Sequence, residues 1–292
     1  MNSFTATATA KASYKVIQDV NNFAETEASR TPFNHNAPIN VTKPPYPNWT
    51  YGHGVPDGTD PSQISTTKST PIAPRPIGLV STISSLDSNS NDEKKGVKEN
   101  LAPFSYFQLV DHDPPLFILG FSSRPGCEKD TFHNLKETGE CVINSVSEDM
   151  IEAVNATFID APYDLSEWDI SGLTKKPSAT VRPARVAESV FCVEGKALEI
   201  MEFGAHSEGM SIGGVVLVKA SRFWVKEGVV DDELSHIELE KLRPVAQLGG
   251  ISYGRITEVF ERPRMRWDGE VKKSEVLRGL EGRREGKGDE SI

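Results

Sequence analysis

Three polar clusters in this chain have residue types that could bind a phosphorylated ring compound. The first is Pro74-Arg75-Pro76-Ile77-Gly78-Leu79-Val80-Ser81-Thr82-Ile83-Ser84. A run that ends in Ser81, Thr82 and Ser84 offers hydroxyls and backbone N–H groups together, and phosphate oxygens need several such donors. Arg75 lies between two prolines, which stiffen its backbone and aim its side chain. The second cluster is Asn100-Leu101-Ala102-Pro103-Phe104-Ser105-Tyr106-Phe107. Asn100, Ala102 and Ser105 could meet the nitrogens and carbonyls of a flat ring, with Phe107 and its aromatic neighbours as a wall. The third runs from Ser122 to Thr131 and contains Lys129 and Asp130. Here a strand ends, Pro125-Gly126 turns the chain, and a helix is expected to start at Asp130 as N-cap. Lys129 beside a helix N-terminus favours an anion. Each cluster also has a plainer reading: a strand entering a hairpin, a core-packed strand edge, and a cap with a solvated lysine.

The elements that must position these clusters follow from periodicity. Residues 77–84 alternate and are rich in β-branched side chains, so they predict a strand. A second strand leads into Asn100, and the apolar run 116–122 fits a buried strand. Residues 130–138 predict a helix stopped by Gly139, and 141–146 another strand. Residues 148–156 have helical spacing. The runs 190–203 and 214–225 are long enough for a barrel or a strongly coiled sheet. A short helix is expected within 231–243. The order is mostly strands with a few helices, without the strand–helix alternation of a doubly wound fold.

Composition limits the function. The chain has 292 residues and a formal net charge of −10, which argues against a nucleic-acid surface. No apolar run approaches the roughly 20 residues of a spanning helix. Cys127, Cys141 and Cys192 are widely spaced and odd in number, which fits neither a disulfide framework nor a zinc knuckle. The histidines form no metal motif, and glycines 213 and 214 make no dinucleotide fingerprint. Residues 1–14 lack the apolar stretch of a secretory signal, so a cytoplasmic location is expected, with a mitochondrial one as the alternative. Residues 1–70 read as an arm, partly extended or disordered, in which Phe33, Tyr46, Trp49 and Tyr51 could pin an extended strip. The core spans 71–267, and 268–292 is a charged tail, loose or weakly helical.

Taken in order, the clusters resemble the flavin reductase-like family. The resemblance rests on PRPIGLVSTIS (74–84), NLAPFSYF (100–107), DPPLFILGFSSRPGCEKDT (113–131) and the Thr138–Asn144 strand. It continues through Asn155-Ala156-Thr157, WDISGLT (168–174), Arg185–Ser189 and Leu248–Tyr253, and so covers about 71–253. It implies a mainly β chain with a few helices, an FMN-binding split β-barrel, and a homodimer with FMN near the subunit interface. It implies that Ser81, Thr82, Ser84, Asn100, Ala102, Ser105 and Phe107 line the flavin, with Lys129, Asp130 and Thr131 at its phosphate; Arg75 and Ser122 complete the candidate set. NADH or NADPH would act as transient hydride donor to an FMN-dependent oxidoreductase with a small-molecule substrate or a partner monooxygenase. No catalytic acid or base is expected, because the cofactor carries the chemistry. A flavin-binding carrier or scaffold without turnover is the alternative, and a relative holding haem or pyridoxal phosphate a weaker one. The loop at 86–98 and the long arm depart from the family pattern, so the substrate cannot be borrowed with the fold.

Overall fold

The computed structural model describes residues 28, 32, 34, 38–41, 72–85, 97–123, 128–159, 161–162, 165–203, 213–230, 236–259 and 265–285. The loop at 86–96, the turn at 124–127 with Cys127, and Phe33, Tyr46, Trp49 and Tyr51 of the arm lie outside these residues. The described residues divide into two compact units, one holding 72–255 and the other 34, 38–41 and 256–285.

In chain order the strands are β1 (Asn40–Val41), β2 (Arg75–Pro76), β3 (Gly78–Ile83), β4 (Glu99–Phe104), β5 (Phe107–His112), β6 (Pro115–Ser122), β7 (Glu140–Ser145), β8 (Lys175–Lys176), β9 (Arg185–Val186), β10 (Phe191–Phe203), β11 (Gly213–Val225), β12 (Val245–Gly249), β13 (Ser252–Arg255) and β14 (Glu258–Val259). The helices are α1 (Asp130–Thr138), α2 (Ile151–Ala156, preceded by a 3-10 turn at Glu148–Met150), α3 (Glu167–Ser171), α4 (Leu239–Leu242), α5 (Trp267–Glu270) and α6 (Glu275–Glu285).

Seven antiparallel strands form one sheet in the order β4-β3-β7-β10-β11-β6-β5. Its two edge strands, β4 and β5, are joined in the chain by only Ser105 and Tyr106. Opposite edges can be so linked only if the sheet coils until they meet. The barrel is therefore split along the line between β4 and β5. At the link, the N–H of Gly120 on β6 donates to the carbonyl of Tyr106 at 2.7 Å.

Two apolar cores lie on either side of β3. Val80 faces the barrel interior with Phe117, Leu119, Phe121, Val193, Val216 and Val218, and Phe132 and Leu135 of α1 plug that interior. Leu79 faces the other way, into a core with Ile77, Leu101, Met150, Trp168 and Val186. Covered on both faces, β3 is buried throughout, so even its serine and threonine are inside. Each fully buried large apolar side chain contributes about 1.5–3 kcal/mol. Gly214 allows the closest contact: a Cβ there would lie 2.3 Å from the Phe132 ring.

Sequence expectation and structure differ at four places. The N-cap of α1 is Lys129, with extended backbone, and Asp130 is the first helical residue. Its stop is as expected: Gly139 has φ 66° and donates to the Leu135 carbonyl. Strand β5 escaped notice because its residues Gln108–His112 are exposed and carry no alternation. Within 148–156 the first turn is 3-10, whereas the short helix expected within 231–243 is present as α4. The segment after 267 holds α5 and the eleven-residue α6, stabilised by burial of Val271 and Leu277.

In the second unit, β1 pairs in parallel with β14, and the Asn40 N–H donates to the Thr257 carbonyl at 2.9 Å. Among the described residues no helix is long and apolar enough to cross a membrane.

Candidate functional site

A buried polar cluster joins β3, β4 and α1. Thr82 and Asn100 are register partners on β3 and β4, so their side chains share a face. The Asn100 amide donates to Thr82 Oγ1 at 3.3 Å and to Thr131 Oγ1 at 2.8 Å. Asn134, one turn further along α1, donates to Thr82 Oγ1 at 3.1 Å. All four side chains are buried. Two amides thus occupy the lone pairs of the Thr82 hydroxyl, which keeps its own O–H to donate. Ala102 lies on the same face as Asn100, opposite Val80.

This cluster fixes the head of α1. The N-cap residue Lys129 is exposed and makes no side-chain cap hydrogen bond. A helix N-terminus presents backbone N–H groups and the positive end of the helix dipole. The ring of Phe132 on α1 stacks on Phe121 of β6 at 4.9 Å, which brings the end of β6 to the same place. Just beyond β6, Ser123 is 4% exposed, and its hydroxyl has no hydrogen-bond partner among the described residues. Leaving a buried hydroxyl unpaired costs about 1–3 kcal/mol. A buried hydroxyl without a partner among the described residues and a helix N-terminus both suit an anionic group.

The other candidate residues are distributed as follows. Ser81 points to the opposite face of β3 from Thr82, and its hydroxyl donates to the Ala184 carbonyl at 2.5 Å. Together with Asn144, which donates to the Leu79 carbonyl and accepts from the Val186 N–H, both at 2.9 Å, it ties the Ala184–Val186 segment to the barrel. Ser84 ties the end of β3 to the start of β4: its N–H donates to the Lys98 carbonyl and its Oγ accepts from the Lys98 N–H. Arg75 and Ser105 meet at the split, where Arg75 Nε donates to Ser105 Oγ at 3.1 Å and the guanidinium lies 5.8 Å from the Tyr106 ring centre. Phe107 stacks on Phe117 inside the barrel mouth. Ser122 is exposed at the end of β6. The structure thus groups Thr82, Asn100, Ala102 and Thr131 on one face, near Lys129 and Asp130. It places Arg75 and Ser105 at the split and turns Ser81 away.

A carboxyl braces β4 from its open edge. Glu167, the first residue of α3, is buried and accepts the Leu101 N–H at 3.1 Å through Oε2. Ser166 donates to the Glu99 carbonyl at 2.7 Å. These two residues satisfy backbone groups that an edge strand leaves unpaired. Burial pushes the Glu167 carboxyl above its ordinary pKa, its own N–H and the Leu101 N–H pull it partly back, and the nearby charge of Asp130 pushes it up again. A second buried carboxylate, Glu194 on β10, accepts from the Ala179 N–H, the Thr180 N–H and hydroxyl, and Trp224 Nε1. Burial alone would push it up, but these donors hold it below its ordinary value. Cys141 and Cys192 are free and buried; burial pushes the Cys141 thiol up to about 12.

Two residues of the candidate site, Asn134 and Ser123, and one that braces it, Glu167, escaped the sequence reading. Asn134 had a signal, because it lies three positions after Thr131 and shares its helix face. Ser123 adjoins Ser122, and only the burial of one and exposure of the other separates them. Glu167 had no local signal, since its contact is 66 residues away in the chain.

Comparison with known proteins places this geometry among relatives. Residues 72–236 match the model of the flavin reductase like domain. An uncharacterised protein of Halalkalibacterium halodurans is 34% identical over 194 residues, covering 66% of this chain and 87% of its own. The crystal structure of nitrilotriacetate monooxygenase component B from Bacillus cereus superposes with a TM-score of 0.61 at 26% identity, covering 70% of this chain and all of that one. That of 2-nitrobenzoate 2-nitroreductase from Pseudomonas fluorescens gives 0.54 at 25% identity, over 70% and 95% of the two chains.

Proposed function

The chain belongs to the flavin reductase-like family, and on that premise we propose that it is an FMN-dependent oxidoreductase, reduced by NADH or NADPH and assembled as a homodimer. The observation that carries this reading is the head of α1, where Lys129 makes no side-chain cap, fixed by the buried Thr82–Asn100–Thr131 cluster; the buried Ser123 hydroxyl just past β6 has no partner among the described residues. Ser123 Oγ, the first-turn amides of α1 and Lys129 hold the phosphate. Asn100 and Ala102 on β4 face the ring, with Phe107 and Ser105 at the split. Bound FMN supplies a ring that accepts hydride and passes electrons on. The protein orients that ring against its hydride donor, and orientation supplies much of the rate. No side chain is assigned as catalytic acid or base.

The outer face of the sheet supports the homodimer. Phe117, Leu119, Val216 and Val218 point into the barrel, so Ile118, Gly120, Val215 and Leu217 point out. Leu217 pairs with Ile118, and Val215 pairs with Gly120 and with Met201, which is 51% exposed. An apolar strip of this kind suits a second copy of the chain. The similarity to a monooxygenase component supports a partner monooxygenase as the destination of the electrons.

The test is the absorption spectrum of the purified protein, then NADH and NADPH consumption with and without added FMN. Flavin bound and reduced supports the reading. Flavin bound without turnover favours a carrier, and no flavin bound contradicts both.

A further inference from the structure

Glu167 does not touch the candidate flavin site, yet it is one hydrogen bond away from it. Its carboxyl holds the Leu101 N–H. Leu101 lies between Asn100 and Ala102, and the Asn100 amide reaches Thr131 in the first turn of α1. The charged side chains on the surrounding elements are few. Glu99 on β4 is paired with Lys175, whose Nζ lies 5.5 Å from the Trp168 ring centre. Glu152 lies on α2, Asp169 on α3 itself, and Lys129 and Asp130 at the head of α1. Asp130 is the one whose charge raises the proton affinity of Glu167.

We propose that Glu167 is a positioning residue that couples flavin binding to proton uptake, through its hydrogen bond to Leu101 and the Asn100–Thr131 contact with the head of α1. This rests on the reading that the FMN phosphate sits at that helix end. A phosphate brings about two further negative charges to the place from which Asp130 already acts. Added negative charge favours the neutral carboxyl. FMN binding therefore draws proton from solvent onto the Glu167 carboxylate, and protonation in turn favours FMN. The neutral carboxyl still accepts the Leu101 N–H through its carbonyl oxygen, so β4 stays in place. Riboflavin has no phosphate and draws no proton.

The experiment measures the dissociation constants of FMN and riboflavin by flavin fluorescence from about pH 5 to about pH 8 in the wild type and in Glu167→Gln, which keeps the acceptor and removes the titration. The phosphate titrates in both proteins, so the ratio of their FMN affinities isolates Glu167. That ratio is expected to fall about tenfold as pH rises through the carboxyl's titration, with riboflavin unchanged. Calorimetry of the wild type in two buffers of different ionisation enthalpy, with the 5′-sulfate ester of riboflavin, whose anion does not titrate in this range, gives a second reading: proton uptake with the sulfate ester and none with riboflavin. If the FMN ratio is flat, or if riboflavin shows the same fall, the inference is wrong. Should Glu167→Gln fail to fold, wild-type calorimetry without proton uptake overturns it. A wild type that binds neither flavin at any pH contradicts the FMN reading instead.

Discussion

Asn100 on β4 donates to Thr131 at the head of α1 across 2.8 Å, and both side chains are buried. The bond joins a sheet edge to a helix end. Through it the strand that carries Asn100 and Ala102 is tied to the first turn of α1. The same amide also donates to Thr82, so three elements share one polar hub.

Removing the hub should be costly. Asn100→Leu leaves the buried Thr131 hydroxyl without its donor, and leaving such groups unsatisfied costs about 1–3 kcal/mol. The denaturation midpoint should fall accordingly, and FMN affinity with it. Unchanged stability would mean that the hub relaxes around the loss.

Ser123→Ala should act with opposite signs in the two states. Without flavin, the change removes an unpaired buried hydroxyl, so the melting temperature should hold or rise. With FMN, a phosphate donor is lost and affinity should drop several-fold. A parallel fall in both would place the hydroxyl in an ordinary structural role.

Lys129→Ala should weaken FMN more than riboflavin. Charge-assisted hydrogen bonds contribute about 1.5–3 kcal/mol, so the FMN loss should exceed about tenfold. Equal weakening of the two flavins would put Lys129 elsewhere.

How much of this was visible beforehand depends on range. Strands β3, β6, β10 and β11 were legible because local apolar patterns decide them, as was the Gly139 stop. Strand β5 was not, since its pairing with β6 fixes it rather than any alternation of its own. Residue types suggested a site near Thr82, Asn100 and Thr131. The side each residue faces needed the register, which turns Ser81 toward Ala184 instead. The pairing of β1 with β14 brings together two segments far apart in the chain that no local signal connects.

Glu194 should give an acid-sensitive core. Its donors hold the folded carboxyl below its ordinary value of 4.5, so its stabilisation is full above that value. It is lost as pH falls through the lower folded value. Urea midpoints measured downward from neutral pH should therefore drop less steeply in Glu194→Gln than in the wild type. Parallel curves would assign the acid sensitivity to other groups.

The most direct measurement of the central claim is a titration of the flavin-free protein with FMN and with riboflavin, followed by flavin fluorescence. We expect FMN to bind about one per chain, and more tightly than riboflavin by at least about tenfold, because the head of α1 and Ser123 receive the phosphate. Failure to bind FMN, or equal affinity for the two flavins, would contradict it.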